Sequence, residues 1–484
     1  MDRRLFLKSS LALSTGIAAS SLFSSCIGGA YSRSEVDKLP FGQFDVIVAG
    51  GGTAGVLAAI ASARTGAKTA LVEWKGYTGG IITEGGTALH SFFNIWKPYP
   101  GVAKKQLVKG IPQEIIDRLI KVGGCAGHVE METGYDYDSV CTAIDTEMYK
   151  LVTMQMIREA GVYMALNTML CGAVMAGERI EGVIVESRAG REVLYAKSFV
   201  DSTGYGDLCA YAGAEFTVPN DYKVVNSMGI ANVDMDRYYH FLKDNNALGQ
   251  IARGSYDGLD NQLVRLGTHN KNLPVEFVKG LKDLSVATIT TTVHKDYLMF
   301  IKCGYTLPTS PLSRDEVSDA EVQIRINQQK AIELYRKYIS GFEKAFISRT
   351  NPSLCIRRAR CIMCDYDLKN EEITNATHFD DEVFVYGFHD SAPKYCVRNG
   401  GSYGFPYRCS CVKGIDNLYA IGMMVTSGHS AHMSTRNTVS CMAQGQSFGT
   451  AAAMCALKGV ETRELIYADL RDKLLKDGVW LEES

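Results

Sequence analysis

The pattern of apolar and polar residues near the start of the chain predicts a strand, a helix and a second strand. Val46–Ala49 is a continuous apolar run, which is typical of a strand that is buried on both faces. Residues 54–65 are rich in Ala and Leu and predict a helix, and Thr69–Val72 is a second apolar run. Strand, helix and strand in this order predict a parallel βαβ unit.

The next segments show first helical and then strand periodicity. Residues 110–123 and 142–160 repeat apolar positions three and four apart, which predicts two amphipathic helices. After the second helix come four short runs, at residues 162–167, 170–176, 179–187 and 191–200, which predict a β-meander laid over the parallel sheet. Residues 201–207 follow them and contain a strand end and two glycines.

The middle of the chain predicts a separate cap. Residues 286–293 and 298–303 predict two strands that pair with each other. A capping box at residues 318–321 predicts the start of a long helix that ends near residue 346. This stretch carries no recognisable chemical motif, so substrate enclosure is assigned to it by position alone.

The last third of the chain returns to an α/β pattern. Residues 418–421 predict a strand, residues 423–437 a polar loop, and residues 438–457 a helix of small residues. Ala and Gly in place of bulky residues predict that this helix packs closely against neighbouring backbone. Its N-terminus offers N–H donors to an electron-rich group.

Three glycines and an acid lie at fixed positions in the first βαβ unit. Gly50, Gly52 and Gly55 follow the first strand in the G-x-G-x-x-G spacing, and Glu73 ends the second strand. The first glycine permits a tight turn, the second lets backbone approach a pyrophosphate, and the third lets the helix pack on the strand. The acid is placed to meet ribose hydroxyls. These residues predict a dinucleotide site.

A second glycine cluster, which includes Gly80 and is followed by Thr83, comes directly after the acid. Thr203 and Gly204 then bring backbone close to a ligand at a later strand end, with Asp207 beside them. This arrangement resembles the FAD-binding flavoproteins of the glutathione-reductase-like fold. In that pattern the Thr-Gly pair returns to the nucleotide, and the nearby acid meets its pyrophosphate or ribitol.

Motifs in the carboxyl-terminal third extend the resemblance. Residues 414–418 read GIDNL, residues 434–436 read Ser-Thr-Arg, and residues 441–449 read CMAQGQSFG. Together with the first unit, these motifs resemble the FAD-dependent oxidoreductases related to the fumarate reductase and succinate dehydrogenase flavoproteins. The resemblance covers about residues 44–215 and 352–478.

Two residues depart from that pattern. Met423 stands where the family has an arginine, so any charge which that arginine supplies near the flavin is missing or comes from elsewhere. His389 and Asp390 have the reverse of the family's Asp-x-His order, so no role is carried over to them.

The resemblance implies FAD as the cofactor and a substrate placed against its N5 atom. We predict two catalytic residues: Arg436, whose guanidinium can hold a carboxylate or carbonyl oxygen, and His429, which titrates near neutrality. No metal is predicted. The predicted FAD contacts are Gly50, Gly52, Thr53, Ala54, Gly55, Glu73, Gly80, Thr83, Leu170, Thr203, Gly204, Asp207, Gly422, Asn437 and Thr438.

The predicted fold class is α/β: a Rossmann-like FAD-binding domain with a parallel sheet and a β-meander, plus an α+β substrate or cap domain. The predicted boundaries are a signal at residues 1–26, a tether at 27–42, the first part of the FAD-binding domain at 43–215, the cap at 216–350 and the second part of the FAD-binding domain at 351–484.

The charge and the amino terminus bear on partners and location. Lys and Arg number 51 against 53 Asp and Glu, so the net charge of −2 gives no reason to expect nucleic acid as a partner. Arg3 and Arg4 precede an apolar small-residue stretch and resemble a twin-arginine export signal. The residues before Cys26 resemble a lipoprotein cleavage box, which predicts a periplasmic protein with a lipid anchor at Cys26 as its membrane contact. The alternative is a cytoplasmic protein with a fortuitously basic start.

Fourteen cysteines are too sparse for a disulfide scaffold in a chain of this length. Two close pairs, Cys361 with Cys364 and Cys409 with Cys411, leave three alternatives open: buried thiols, a disulfide, or four thiolates for zinc. We favour buried thiols because Cys-x-Cys is not the usual second half of a zinc site.

The favoured function is an oxidoreductase that moves hydride between flavin N5 and a small organic substrate. No second G-x-G-x-x-G follows a strand, so electrons are expected to pass to or from the substrate, a quinone or a redox-protein partner. The alternatives are a flavin-using tRNA-modification-like protein and a non-catalytic FAD-binding protein.

Overall fold

The computed structural model of the chain describes residues 29–85, 89–90, 92–94, 101–133 and 139–481. The predicted export signal, with Cys26, lies outside these residues. Within the described ranges, no helix combines the length and the apolar character needed to cross a membrane.

Helices occur along the whole described part of the chain. In chain order they are α1 (Arg33–Val36), α2 (Thr53–Arg64), α3 (Ile81–Gly85), α4 (Ile111–Lys121), α5 (Thr146–Glu159), α6 (Asp207–Tyr211), α7 (Met235–Asp244), α8 (Val275–Asp283), α9 (Arg314–Tyr338), α10 (Asn370–Thr374), α11 (His429–Thr435), α12 (Thr438–Lys458) and α13 (Tyr467–Lys476).

The strands alternate with these helices. In chain order they are β1 (Ala30–Tyr31), β2 (Phe41–Gln43), β3 (Val46–Ala49), β4 (Thr69–Val72), β5 (Leu89–His90), β6 (Val129–Thr133), β7 (Val140–Thr142), β8 (Tyr163–Ala165), β9 (Met169–Ala176), β10 (Arg179–Ser187), β11 (Gly190–Tyr195), β12 (Ser198–Asp201), β13 (Phe216–Thr217), β14 (Val224–Ala231), β15 (Leu248–Tyr256), β16 (Leu259–Thr268), β17 (Thr290–Thr291), β18 (Tyr297–Tyr305), β19 (Phe346–Thr350), β20 (Cys361–Ile362), β21 (Glu382–Tyr386), β22 (Tyr403–Pro406) and β23 (Leu418–Ala420).

A parallel sheet in the order β23-β12-β3-β4-β8 forms the centre of the nucleotide-binding half. Every pair in it is parallel, so the carboxyl ends of all five strands meet at one edge. Strands β3, β4, β12 and β23 are fully buried, which explains their continuous apolar sequences. The predicted α/β class with a parallel sheet is confirmed.

The predicted β-meander is present but differs at both ends. Strands β9, β10 and β11 form its antiparallel core, with β1 and β2 at the edges. The first predicted run, residues 162–167, instead gives β8, which joins the parallel sheet. The last run, residues 191–200, splits into β11 and β12. The split occurs because Ala196 N donates to Glu181 O of the antiparallel sheet, whereas Lys197 N donates to Asp45 O beside the parallel sheet.

The cap contains two sheets and one long helix. One sheet has the order β18-β14-β19, and the other has the order β17-β16-β15-β6-β7-β5. Strand β18 pairs with β14, and the predicted pairing with residues 286–293 is present only as an antiparallel bridge between Val286 and Cys303. Within that predicted strand, β17 forms. Strands β6 and β7 come from the part of the chain predicted to belong to the FAD-binding domain, yet β6 pairs with β15 of the cap.

Helix α9 begins earlier and ends earlier than the sequence pattern predicts. Its N-cap is Ser313, whose side chain accepts a hydrogen bond from Glu316 N. The hydroxyl of Ser318, which was predicted to cap the helix, donates instead to Arg314 O within the first turn. The chain leaves the helix after Tyr338, just before Gly341 adopts a positive φ of 95°.

The two largest hydrophobic clusters of the described residues accompany this division. One joins apolar residues between positions 46 and 214 to others between 362 and 474, and the second lies between positions 228 and 345. Segments from both ends of the chain therefore share one core around the parallel sheet. The domain boundaries given above stay predictions.

Helices α2 and α12 pack backbone against backbone on one face of the parallel sheet. A Cβ on Gly445 would lie 2.2 Å from Ala54 O, and a Cβ on Gly449 would lie 2.2 Å from Ala58 O. Only glycine allows this approach at these two positions. The small-residue composition that predicted close packing of residues 438–457 is thus explained.

His294 connects the cap to helix α5. Its Nε2 lies 2.5 Å from Oδ2 of Asp145, the N-cap of α5, whose other oxygen accepts from Glu147 N and Met148 N. The hydrogen bond to Asp145 raises the pKa of His294. Burial opposes the shift at Asp145, but the bond from His294 and the two backbone donors lower the pKa of that carboxyl.

We expect Gly445→Ala to destabilise the fold by about 1–3 kcal/mol, because the added methyl group meets backbone that cannot rotate away. Chemical denaturation followed by circular dichroism measures the change. Gly428→Ala is the matched control, since its Cβ would meet only Ala431 Cβ at 3.9 Å. Equal stability of the two variants would contradict the packing described here.

The His294–Asp145 pair predicts a pH-dependent contribution to stability. Because the folded-state pKa of His294 is raised, its stabilisation is fully present below the unfolded pKa and is lost as the pH rises through the folded pKa. His294→Gln should therefore lower the melting temperature more at about pH 5.5 than at about pH 9. His240→Gln, at an exposed helix position, is the control. A pH-independent difference between wild type and His294→Gln would contradict the prediction.

Candidate functional site

A cavity of about 500 Å³ opens at the carboxyl edge of the parallel sheet. Loops that follow four of the strands line it: Gly50 follows β3, Glu73 follows β4, Thr203 follows β12 and Gly422 follows β23. Parallel strands bring their carboxyl ends to one edge, which is where open α/β sheets bind ligands. The cavity thus gathers residues that lie hundreds of positions apart in the sequence.

Most of the predicted site residues line this one cavity. Gly52 at the start of α2 and Thr438 at the start of α12 both face it. The predicted residues in its wall are Gly50, Gly52, Thr53, Ala54, Glu73, Gly80, Leu170, Thr203, Gly204, Asp207, Gly422, Arg436, Asn437 and Thr438.

Gly55, Thr83 and His429 are not among the lining residues. A Cβ on Gly55 would lie 1.9 Å from Gly50 O, so this glycine supports the turn and does not face the cavity. Thr83 is buried, and its hydroxyl donates to Gly80 O at 2.9 Å. Both residues act on the shape of the glycine-rich wall from behind it.

The glycines of the first turn have distinct geometric roles. Gly50 has a φ of +96°, and a Cβ there would lie 2.5 Å from Ser202 O. At Gly52 the nearest atoms to an added Cβ are Ser202 O at 3.7 Å and Gly80 Cα at 4.0 Å. A side chain at Gly52 therefore meets no protein atom and would take up space in the cavity. Gly52 is also the N-cap of α2 and offers no side-chain acceptor to the first helical N–H groups.

Glu73 is held at the cavity wall by backbone donors. Its Oε2 accepts from Gly51 N at 2.7 Å, and its Oε1 accepts from Lys75 N at 2.9 Å. Burial raises the pKa of the carboxyl, and the two N–H donors partly oppose this shift. The carboxylate is thus oriented toward the turn that carries Gly50 and Gly52, where a ribose next to a pyrophosphate would lie.

The opposite end of the cavity is built around the start of α12. Asn437 is the N-cap, and its side-chain oxygen accepts from Val439 N at 3.3 Å and from the Tyr386 hydroxyl at 2.5 Å. Gln444 holds the preceding strand end in place, since its Oε1 accepts from Gly422 N at 2.7 Å. These contacts fix the first turn of α12 against the loop after β23.

Arg436 lines the cavity directly before α12. Its guanidinium forms an ion pair with Asp390, and both side chains are mostly buried. The ring of Tyr222 lies below the guanidinium, with 5.0 Å between Arg436 Cζ and the ring centroid. Asp390, to which the sequence motif assigned no role, is therefore part of the site and orients the predicted catalytic arginine.

His429 lies outside the cavity wall. Its side chain is 48% exposed, its Nδ1 is 2.6 Å from Asp221 Oδ2, and its ring stacks on Tyr222 with centroids 4.5 Å apart. Asp221 also binds the buried guanidinium of Arg358. Burial opposes the shift, but the bonds from His429 and Arg358 lower the pKa of Asp221. A direct catalytic contact by His429 stays a prediction that this geometry does not favour.

His432 is the buried histidine of the same loop, and sequence reasoning did not select it. Its Nε2 donates to Met423 O at 2.8 Å, so its Nδ1 accepts from the Tyr222 hydroxyl at 2.9 Å. Burial, with Arg358 and Arg436 nearby, lowers the pKa of His432 well below its usual value. The neutral ring therefore links Tyr222 to the loop that carries Met423.

The cap and the segment that follows it supply a further part of the wall, which sequence reasoning missed. Its residues come from β14, β18 and the segment after β19. Alternate residues on a strand share a face. The sequence signal for this wall was therefore a polar residue two positions after an apolar one in a cap strand, as in Val225 with Ser227 and Phe300 with Lys302. The cap-side wall consists of Val225, Ser227, Phe300, Lys302, Cys355 and Arg357.

The four paired cysteines remain free thiols in the structure. Cys361, Cys409 and Cys411 are buried and Cys364 is half-buried. Burial raises the pKa of each thiol. In the part of the chain that the structure describes, no group of three or more His, Cys, Asp or Glu side chains is placed to hold a metal ion.

The donor set of the cavity fits FAD. Gly52 leaves room for a pyrophosphate beside the uncapped N–H groups of α2, and Glu73 lies where a ribose would follow. The start of α12 lies at the other end, where its N–H groups and macrodipole favour a ring edge that gains negative charge.

We expect Gly52→Val to lower the affinity for the predicted FAD by about tenfold or more. The branched side chain would occupy the part of the cavity predicted for the pyrophosphate without clashing with protein atoms. The ratio of flavin to protein absorbance after purification measures retention, and circular dichroism checks the fold. Gly428→Val lies outside the cavity and is the control. Full flavin occupancy in Gly52→Val would place the pyrophosphate elsewhere.

Several solved structures and one family model resemble the chain. Solved structures that resemble the chain include a geranylgeranyl bacteriochlorophyll reductase-like protein from Thermoplasma acidophilum, with a TM-score of 0.46, 12% identity and coverage of 90% of this chain and 83% of that one. A second is p-nitrophenol 4-monooxygenase from Pseudomonas putida, with a TM-score of 0.43, 10% identity and coverage of 91% of this chain and 90% of that one. A third is a myxobacterial chondrochloren halogenase, with a TM-score of 0.47, 12% identity and coverage of 89% of this chain and 78% of that one. The family model described as FAD dependent oxidoreductase matches residues 45–474. The chain therefore belongs to the FAD-dependent oxidoreductase family.

Proposed function

We propose that the protein transfers hydride between flavin N5 and a small organic substrate that lies against the cap-side wall. FAD supplies the redox chemistry when it is bound, and the chain positions the substrate and controls its charge. The observation that carries the proposal is the place of Arg436. Its mostly buried guanidinium faces the same cavity as Gly52 and lies at the α12 end, away from the nucleotide turn.

Arg436 is suited to hold an oxygen of the substrate. Asp390 fixes the guanidinium from one side and Tyr222 supports it from below, so the arginine needs little reorganisation when substrate binds. A guanidinium in a water-poor cavity polarises a carbonyl or holds a carboxylate more strongly than it does in water. Arg436 is therefore the proposed catalytic residue, and Asp390 and Tyr222 are positioning residues.

His429 contributes through Tyr222 in this proposal. Its ring stacks on Tyr222, which supports Arg436, and it has no place in the cavity wall. A direct proton transfer from His429 would require the loop at residues 423–437 to move.

A charge of −2 and the predicted export signal argue against the tRNA-modification alternative. The non-catalytic alternative is tested by mixing FAD-loaded protein anaerobically with a panel of small hydroxy acids, alcohols and polyols. The dithionite-reduced protein is mixed with the corresponding keto and unsaturated compounds. Loss or return of the flavin's visible absorbance with one of them supports hydride transfer. If no compound of the panel changes the flavin absorbance, by reducing the oxidised protein or by oxidising the reduced protein, a non-catalytic binding protein is favoured.

Location and electron partner are proposals that rest on the sequence alone. The twin-arginine pattern and Cys26 support export of the folded, FAD-loaded protein to the periplasm, with lipid attachment at Cys26. A quinone or a redox protein would then exchange electrons with the flavin. Labelling with a radioactive fatty acid, with Cys26→Ser as the unlabelled control, tests the anchor.

We expect Arg436→Met to slow flavin reduction by the most reactive panel compound about 100-fold, because an oriented charge at the reacting group is lost. FAD occupancy should not change. Arg436→Lys should recover part of the rate, and Arg314→Met, at a fully exposed position, is the matched control. Stopped-flow absorbance under anaerobic conditions measures the rates. A wild-type rate in Arg436→Met would remove this residue from the mechanism.

A further inference from the structure

The cap-side wall carries positive charge that no carboxylate of the described residues neutralises. Lys302 and Arg357 both line the cavity, and neither side chain forms a hydrogen bond or ion pair with any residue that the structure describes. The Lys302 ammonium lies over the ring of Phe300, 5.0 Å from the ring centroid. Phe300 also lines the cavity.

Other cations around the cavity do have partners. Arg436 pairs with Asp390, Lys75 pairs with Glu84, and Arg360 beside the cavity pairs with Asp207. Three acids of the wall, Asp390, Glu84 and Asp207, are therefore already engaged by other basic groups, and Glu73 accepts from two backbone N–H groups. Lys302 and Arg357 differ from this pattern, and they come from neighbouring parts of the cap, strand β18 and the segment after β19.

Burial makes this charge significant. It lowers the pKa of Lys302 to about 8, with Arg357 beside it adding to the shift. Asp390 acts in the opposite direction, and Arg436 and Cys355 are the other titratable groups that face the ammonium. Both side chains are half-buried, and a partly desolvated cation without a counter-ion is costly, so an anionic ligand relieves that cost.

The phosphates of FAD are not the expected partners of these two cations. The nucleotide end is marked by Gly52 and Glu73, whereas the charged neighbours of Lys302 are Arg357, Asp390 and Arg436, at the α12 end. The pair thus faces the part of the cavity that the proposed function reserves for substrate.

We propose that Lys302 and Arg357 form a subsite for a carboxylate group of the substrate. The planar guanidinium of Arg357 matches a carboxylate in a two-bond geometry, and the ammonium adds a point charge. Val225 and Phe300 give the same wall apolar contacts, which suit a short carbon body behind the carboxylate. The proposal rests on the proposed function, since it names the substrate class of that site as small organic acids.

Malonate is the probe, and malonamide is its neutral counterpart. Binding to FAD-loaded protein is measured by the change in flavin absorbance and, independently, by the shift in melting temperature. We expect malonate and not malonamide to bind, and Lys302→Met or Arg357→Met to weaken malonate binding by about tenfold or more. Malonate affinity should fall as the pH rises from about 7 to about 9, and this dependence should be lost in Lys302→Met.

Controls separate this subsite from general effects of charge. Lys337→Met and Arg314→Met remove exposed cations of the cap and should leave malonate binding unchanged. Lys302→Arg keeps the charge and should keep the binding, which guards against a variant that simply fails to fold.

Four outcomes would overturn the subsite. The first three are equal binding of malonamide, tighter binding of sulfate than of malonate, and a loss of FAD affinity in Lys302→Met with no malonate effect on wild type. FAD-loaded protein that reacts with neutral substrates and ignores malonate would also overturn it while leaving hydride transfer intact. Malonate binding without flavin reactivity toward any panel compound would support the subsite and contradict the proposed function.

Discussion

Close packing between α2 and α12 is the constraint on which the site depends. The two helices begin at opposite ends of the cavity, and Gly445 and Gly449 let α12 lie against the backbone of Ala54 and Ala58. Protein interiors are close-packed, so a shift of one helix is transmitted to the other. The distance between Gly52 and Thr438, and with it the length of the cofactor slot, is therefore set by backbone contact and not by adaptable side chains.

The parallel sheet supplies the second constraint. Its strands come from both halves of the chain, with β23 adjacent to β12 and β12 adjacent to β3. Glycine turns at their carboxyl ends expose backbone to a ligand, and Glu73 and Thr203 follow the strands at the same edge. One core around this sheet explains why an element near residue 50 and another near residue 438 form a single FAD site.

The two sides of the cavity differ in chemistry. The cap side supplies the cations Lys302 and Arg357, and the nucleotide-binding half supplies glycine-turn backbone together with Arg436. Arg436 is fixed by Asp390 and by Tyr222, and Tyr222 is fixed in turn by neutral His432. Lys302 and Arg357 line the same cavity, and Arg436 and Asp390 are among the charged neighbours of Lys302. A substrate between these groups would meet an oriented guanidinium and two further cations, next to the apolar ring of Phe300. The site thus combines a glycine-lined slot, with Glu73 in its wall, and a basic, partly apolar wall.

The sequence by itself determined the elements whose physics is local. The G-x-G-x-x-G turn, the helix after it, Glu73 and the small-residue helix α12 could all be predicted, because turn geometry and helical periodicity depend on near neighbours. Such patterns were less informative where local signals compete. Ser318 offers a plausible cap, but Ser313 lies nearer to the true start of α9, and a short helix, α11, forms in a segment predicted as loop.

Only the tertiary structure decided which side chains share the cavity. Lys302, Arg357 and Asp390 are separated by long stretches of chain and belong to no common motif, so nothing local to each one shows that they meet. The same folding carries His429 to an exposed contact with Asp221 although it lies only seven residues before Arg436. Strand β8 joins the parallel sheet, and β6 joins the cap, for a related reason: the choice of a neighbouring strand depends on hydrogen-bond partners distant in sequence.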